Sequence, residues 1–302
     1  MSRVVAVVVA VGLIVGAILF RQAIDEDDGG TNPEGRPTIE VACAEEVRDA
    51  CENLGFGARY DIVVEDAALT ATGLSVPAGP TVDIWVVPAP WPGIVDDNRV
   101  RAGHEPLFDD ATVEHVGRSR LGILGPEDLD GCDWRCIGDR VGAGDLRVGG
   151  RAAGTALGTL HLGALATGWF GTADFATNDF DGAFTTWLSS AVDAVATDAQ
   201  PATRLLQSRA FFDAALTFEA EAAPALAAAS EDRSAGLALL YPAPVASLDV
   251  VVVDVDGALD DAADDLPSSI AAALADRGWQ PGSDEPSGLP RPGVLIALGG
   301  LL

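Results

Sequence analysis

The sequence predicts an α/β fold with parallel sheets, carried behind a membrane-inserting N-terminal segment. Three observations predict it. Short apolar strand candidates alternate with helix candidates along most of the chain. Several of those strands are apolar throughout, as strands buried on both faces are. An uncharged run, Val4 to Phe20, precedes all of them. No internal repeat is visible, and the length suits one large domain or two modest ones sharing a crevice.

Composition narrows the function. The chain has 302 residues, 48% apolar and 21% charged, which is the make-up of a globular protein rather than a disordered one. Its 18 basic residues face 46 acidic ones, for a net charge of -28, and every basic residue is Arg. Nucleic acid and anionic lipid are therefore poor partners, since phosphate binding draws on Lys and Arg. A chain without Lys also excludes a Walker-type phosphate loop and a Schiff base. The acid is spread as a solvated surface would be. Its clusters, Asp25 to Asp28, Asp96-Asp97, Asp109-Asp110 and Asp260-Asp261 with Asp264-Asp265, lack calcium-loop spacing, so no metal site and no cofactor are expected.

Val4 to Phe20 holds only Val, Ala, Gly, Leu, Ile and Phe. At a helical rise of ~1.5 Å it covers roughly 25 Å of a ~30 Å hydrocarbon core, with Arg21 able to snorkel and Ala23-Ile24 to extend it. A cleaved secretory signal is the competing reading. No small-x-small site follows the run and no Cys stands there to take a lipid, so residues 1–24 are expected to be an uncleaved, single-pass signal anchor. Arg3 favours an outward-facing body, an argument Arg21 weakens. Asp25 to Pro37, acidic and rich in Gly, reads as a solvated linker over 25–37.

The body begins with a strand at Thr38 to Ala42 and a helix at Glu45 to Leu54, apolar at Val47, Ala50, Cys51 and Leu54 and stopped by Gly55. Val82 to Val87 and Leu121 to Leu124 are buried-strand candidates. Asp145 to Gly149 is a strand that runs through Gly150-Arg151-Ala152-Ala153-Gly154-Thr155 into a small-residue helix reaching Gly168. Backbone N–H groups at such a turn face an anion or a polar ligand, although the spacing is not that of a dinucleotide fingerprint. Helices follow at Phe184 to Ala196 and Pro201 to Gln207, then a strand from Phe211 to Phe218 ending in Glu219, and an alanine-rich helix from Glu221 to Ala229. Strands at Leu237 to Tyr241 and Leu248 to Val255, the second mostly β-branched, precede a last helix from Asp265 through Arg277, stopped by Gly278.

Four cysteines, Cys43, Cys51, Cys132 and Cys136, suit two bridges in an oxidising exterior. Cys132 and Cys136 would close a small loop; Cys43 and Cys51 would meet across a strand end and the first turn of a helix. Zinc is the alternative, with an unfavourable spacing.

Four local sequences in this order resemble bacterial extracellular solute-binding proteins of the type 2 periplasmic-binding fold, nearest to their molybdate- and sulfate-binding branch. They are Ile39-Glu40-Val41-Ala42-Cys43-Ala44-Glu45, Asp83-Ile84-Trp85-Val86-Val87-Pro88-Ala89-Pro90-Trp91, Tyr241-Pro242-Ala243-Pro244 and Arg277-Gly278-Trp279-Gln280-Pro281. The resemblance implies two lobes, lobe I at 38–144 with 245–290 and lobe II at 145–244, followed by a tail at 291–302. It places the ligand between the lobes, on loops at Cys43 and Ala44, at Pro88 and Ala89, at Thr155, and at Glu219; an anion there would draw on helix N-termini, hydroxyls or a rare Arg such as Arg151. Such relatives usually offer hydroxyls to an oxyanion in the first two loops. Here Cys43, Ala44, Pro88 and Ala89 stand there, and Glu45 and Glu219 would repel an anion, so an organic or cationic solute is an equal expectation.

The remaining tempting residues have structural readings. Trp85 and Trp91 fit a core, Tyr241 a hinge or its packing, and His161 a packed position; His104 and His115 are scattered. Ser189-Ser190 and Ser268-Ser269 have neither a nucleophile elbow nor a partner His. The expected function is thus non-enzymatic: an exported, membrane-held binder of a small molecule or ion, working with a membrane transporter or another membrane protein, or else an interaction or sensory module on the same fold.

Overall fold

The computed structural model describes residues 38–52, 59–77, 82–108, 113–261, 263–283 and 285–302. The expected anchor (1–24) and linker (25–37) lie outside the described residues, as do the Asp25–Asp28 and Asp109-Asp110 clusters. Among the described residues no helix is long and apolar enough to cross a membrane. Two compact units are distinguished. Of the smaller, residues 1–39 and 56–61, only 38–39 and 59–61 are described; there the Ile39 N–H donates to the Arg59 carbonyl at 2.9 Å. The larger, residues 40–55 and 62–302, carries both lobes.

The strands are β1 (Ile39–Ala44), β2 (Tyr60–Glu65), β3 (Ile84–Pro88), β4 (Val113–Pro126), β5 (Val148–Gly150), β6 (Val195–Thr197), β7 (Ala214–Phe218), β8 (Leu237–Leu240) and β9 (Ser247–Asp254). The main helices are α1 (Arg48–Glu52), α2 (Ala67–Leu74), α3 (Pro90–Arg101), α4 (Trp134–Gly142), α5 (Ala156–Phe170), α6 (Gly182–Asp193), α7 (Pro201–Gln207), α8 (Glu219–Ala228), α9 (Leu266–Ala275) and α10 (Pro292–Gly299). Their starts are chemically marked. Asp66, Asp133, Thr155 and Asp181 cap α2, α4, α5 and α6 by accepting from backbone N–H groups of the first turn, and Gly171, at φ 70°, ends α5 in the left-handed conformation.

The strands run in the order β2-β1-β3-β9-β4-β7-β5-β6, with β8 also on β4. The sheet is mixed, which corrects the expected parallel arrangement. β1 is parallel to β3, and β5 to β6 and β7, but β9 runs antiparallel between β3 and β4. Chain direction depends on how the C-terminal strand returns, and strand sequence alone does not record it.

β4 joins the lobes. Val113 to Arg120 pairs with β9, from Val113↔Val253 to Arg120↔Ser247; from Leu121 onward the strand leaves β9 and pairs with β7 (Leu121↔Phe218) and β8 (Ile123↔Leu240). Leu121 to Pro126 thus pair with β7 and β8, and α4 packs on α5 and α6. The chain crosses back through 241–246, where the Leu121 N–H donates to the Ala246 carbonyl at 2.8 Å and the Trp134 indole N–H to the Pro244 carbonyl at 3.1 Å. Cys43 is bridged to Cys51, and Cys132 to Cys136.

Lobe I is built around β1, β3 and β9, whose Val250 to Val253 are fully buried; the core of lobe II gathers Leu124, Leu205, Phe212 and Leu237 beneath α7 and α8. The tail at 291–302 is not a loose end. It forms α10, buries Val294, Leu295 and Leu298, and packs on α3 of lobe I and α5 of lobe II. Glycines permit the approach: a Cβ on Gly93 would stand 2.7 Å from Pro292, and one on Gly163 the same distance from Leu295.

Candidate functional site

The ends of β1 from one lobe and of β5, β6 and β7 from the other meet at one place. Beyond β1 come Glu45, Glu46 and Val47; beyond β5, Arg151; beyond β6, Ala199 and Gln200; beyond β7, Ala220 and Glu221. These residues, with Leu274 to Trp279 from the end of α9, line a cleft of about 810 Å³. That lies within the size range of small-molecule sites, and the carboxyl ends of strands are where open α/β sheets hold ligands. A reciprocal pair of backbone hydrogen bonds between Arg118 and Gln280, each 2.9 Å, sets the Leu274–Trp279 wall, and the Trp279 ring lies 5.4 Å from that of Phe218.

Charge is concentrated on the floor. Arg151 spans the cleft, with Nη1 3.3 Å from Glu45 Oε2 and Nη2 4.0 Å from Glu221 Oε1; its Nε is buried without a partner. Glu221 is further held by the Thr217 hydroxyl, which donates to Oε2 at 3.1 Å. Glu46 is only 9% exposed, and no other residue donates a hydrogen bond to either of its carboxylate oxygens. Burial pushes its carboxyl up to about 7, with Asp66 and Glu45 adding to the rise, while its own backbone amide and Arg151 offset only part. Burial likewise raises the Glu221 carboxyl, against Arg151 and Thr217. Among the described residues no group of three or more His, Cys, Asp or Glu side chains is placed to hold a metal ion.

Of the residues expected at the site, the structure places Arg151 in the cleft. Cys43 and Ala44 are buried at the end of β1, Pro88 is buried at the end of β3, and Ala89 precedes α3; none lines the cleft. Thr155 is not on the lining either. Its hydroxyl is committed to helix geometry, accepting from the Gly158 N–H at 3.2 Å and donating to the Ala152 carbonyl at 2.7 Å. Glu219 belongs to the crossing between lobes: Arg120 grips it with Nε 2.9 Å from Oε2 and Nη2 2.5 Å from Oε1, and the guanidinium lies 3.7 Å from the Tyr241 ring centroid. Arg120 holds the Glu219 carboxyl below its usual range, and burial with Glu219 pushes the Tyr241 hydroxyl up to about 12.

Sequence reading passed over Glu46 and Glu221. The available signal was position, since each follows a strand end within three residues. Trp85 and Trp91 are core residues, and His161 is buried, its Nε2 3.2 Å from the Thr217 carbonyl, so that burial lowers its pKa to about 4.

Two lobes joined by crossing strands, with a cleft at the strand ends, are the fold of the type 2 periplasmic solute-binding proteins, and solved structures share it. A periplasmic thiamin binding protein matches with TM-score 0.58 at 12% identity, over 90% of this chain and 97% of its own. Apo FutA2 from Synechocystis PCC6803 matches with TM-score 0.55 at 13% identity, over 87% and 97%. A ferric binding protein from Campylobacter jejuni matches with TM-score 0.54 at 10% identity, over 87% and 95%. No family model matches the chain, and no curated protein matches its sequence.

Proposed function

We propose that the chain is an exported solute-binding protein that takes a small ligand into the cleft between its lobes and passes it to a membrane transporter. Residues 1–24 would hold it to the outer face of the membrane through the 25–37 linker. One observation carries the reading: the strand ends of both lobes converge on an open cleft lined by charged groups whose hydrogen bonding is incomplete, Glu46 above all. Binding falls to Arg151 with Glu45, Glu46 and Glu221, while Cys43, Ala44, Pro88, Ala89, Thr155 and Glu219 shape the loops and crossing around them.

The likeness to the molybdate- and sulfate-binding branch is proposed for lineage alone. An oxyanion in this cleft would meet three glutamates and no hydroxyl among its lining residues. A second reading, an extracytoplasmic interaction or sensory module, is favoured by α10, which packs on a helix of each lobe and would restrain their separation. A thermal-shift screen with metabolites and ions separates the two. A solute binder melts higher with at least one compound, by mass action, with the rise growing as concentration exceeds Kd; a flat response across the screen favours the module.

A further inference from the structure

Resting on the solute-binding reading and deepening it, we propose that the cleft takes a compact organic cation, a primary ammonium or guanidinium group on an apolar body, whose N–H donors complete Glu46.

Glu46 is about nine-tenths buried, lines the cleft, and has both carboxylate oxygens without a partner. Most buried polar groups in native proteins are paired, and one left open beside a cleft can be completed by what enters it. The neighbours set the sign. Lining carboxylates are Glu45, Glu46, Asp49, Glu221 and Asp276, against Arg48, Arg151 and Arg277. Arg48 is already 3.3 Å from Glu52, and Arg277 donates to the Ala273 carbonyl at 2.8 Å. Arg151 lies between Glu45 and Glu221, so an anion would have to displace two carboxylates to reach it. Glu46 offers a cation two carboxylate oxygens that no other residue holds, and ammonium or guanidinium donors to carboxylates are the stronger class of hydrogen bond.

The apolar lining suits the rest of such a molecule. Val47, Phe218, Pro224, Leu274 and Trp279 line the cleft, whereas an uncharged sugar would find only Gln200 and the Trp279 indole N–H as neutral hydrogen-bonding side-chain groups there. Titration agrees. Glu46, faced by Glu45 and Asp66 from lobe I and by Arg151 from lobe II, carries its carboxyl at about 7, so near neutrality a proton occupies the place of the cation and is expelled when the cation enters.

The test is isothermal titration of the full chain at pH 8 with agmatine and putrescine, and with citrate, glucose and manganese chloride as representatives of other classes. The expected result is saturable binding of at least one amine, weakened roughly tenfold or more in Glu46→Gln. The wild-type heat near pH 7 should vary with the buffer's ionisation enthalpy, reporting proton release in a measurement that needs no variant. Binding of citrate, glucose or manganese while both amines fail overturns the cation and leaves a solute binder standing. An amine bound equally by a folded Glu46→Gln, or with no proton release, overturns the role given to Glu46. Failure of all five probes overturns the cation proposal, and the broad thermal screen then decides the solute-binding reading separately.

Discussion

Arg120 and Arg151 each face glutamate, one at the crossing between the lobes and one in the cleft. Arg120 holds Glu219 with two short hydrogen bonds at 2.9 and 2.5 Å and stacks on Tyr241, so each charge there is answered by the protein itself. Arg118, two residues earlier on the same strand, lies 2.8 Å from Asp249 and donates to the Pro286 carbonyl at 2.9 Å, while burial still pushes the Asp249 carboxyl up to about 6. In the cleft, Arg151 reaches Glu45 at 3.3 Å and Glu221 at 4.0 Å, its Nε has no partner, and Glu46 has none for either oxygen. At the crossing the protein answers Glu219 with its own hydrogen bonds; in the cleft it leaves the buried carboxylate of Glu46 without one from another residue, which costs stability.

Substitutions in the two regions should therefore move stability in opposite directions. The largest effect is at the crossing. Trp134 is fully buried, and its indole N–H donates to the Pro244 carbonyl; Trp134→Ala should lower unfolding free energy by about 3–5 kcal/mol in a denaturant titration. A loss within ±0.5 kcal/mol would remove the crossing as a rigid element.

Next comes Glu46, with the opposite sign. Its folded pKa of about 7 lies above the ordinary 4.5, so its neutral form is favoured on folding. The stability this contributes is full below the ordinary value and is lost as pH rises toward about 7. At pH 8 Glu46→Gln should be the more stable protein, by up to about 3 kcal/mol from the size of the shift, and should bind the least ligand. His161 sharpens the comparison on the acid side. Its pKa is lowered from 6.5 to about 4, so its contribution is present above the first value and lost as pH falls through the second. A stability-pH profile of Glu46→Gln should keep that acid limb and show a shallower alkaline one, to which the buried Glu221 and Asp249 still contribute.

The smallest effect is at Arg120, whose side chain is 41% exposed. Solvent screening limits Arg120→Ala to a destabilisation of about 1 kcal/mol despite the two-pronged geometry. A stabilised Arg120→Ala would erase the contrast with the cleft.

Much of the fold could be read from local sequence. The β-branched run of β9, the alanine-rich α8 and the strand, Gly-rich turn and helix around Arg151 fall where pattern places them. Other elements were hidden for identifiable reasons. α3 opens with Pro90-Trp91-Pro92-Gly93, a breaker-rich stretch tolerated because prolines sit in the first turn and Gly93 lets Pro292 approach. β4 carries Gly117, Gly122 and Gly125, so only its central Leu121 to Leu124 looks like a strand. The site was less legible than the fold. Glu46 in Ala44-Glu45-Glu46-Val47 reads as an acidic helix start, and its place in a cleft exists only once residues more than a hundred positions away, Arg151 and Glu221, line the same space. Thr155 shows the reverse: a residue typical of ligand sites whose hydroxyl is consumed by its own helix cap.

The most direct test of the account is hydrogen exchange by mass spectrometry on the full chain, with and without a ligand found by titration. Ligand held between the lobes should slow exchange in both walls together, at Glu45 to Ala50 and Leu274 to Trp279 of lobe I and at Phe218 to Pro224 of lobe II. Protection confined to one wall, or lying wholly outside these segments, would contradict a solute-binding cleft at the strand ends.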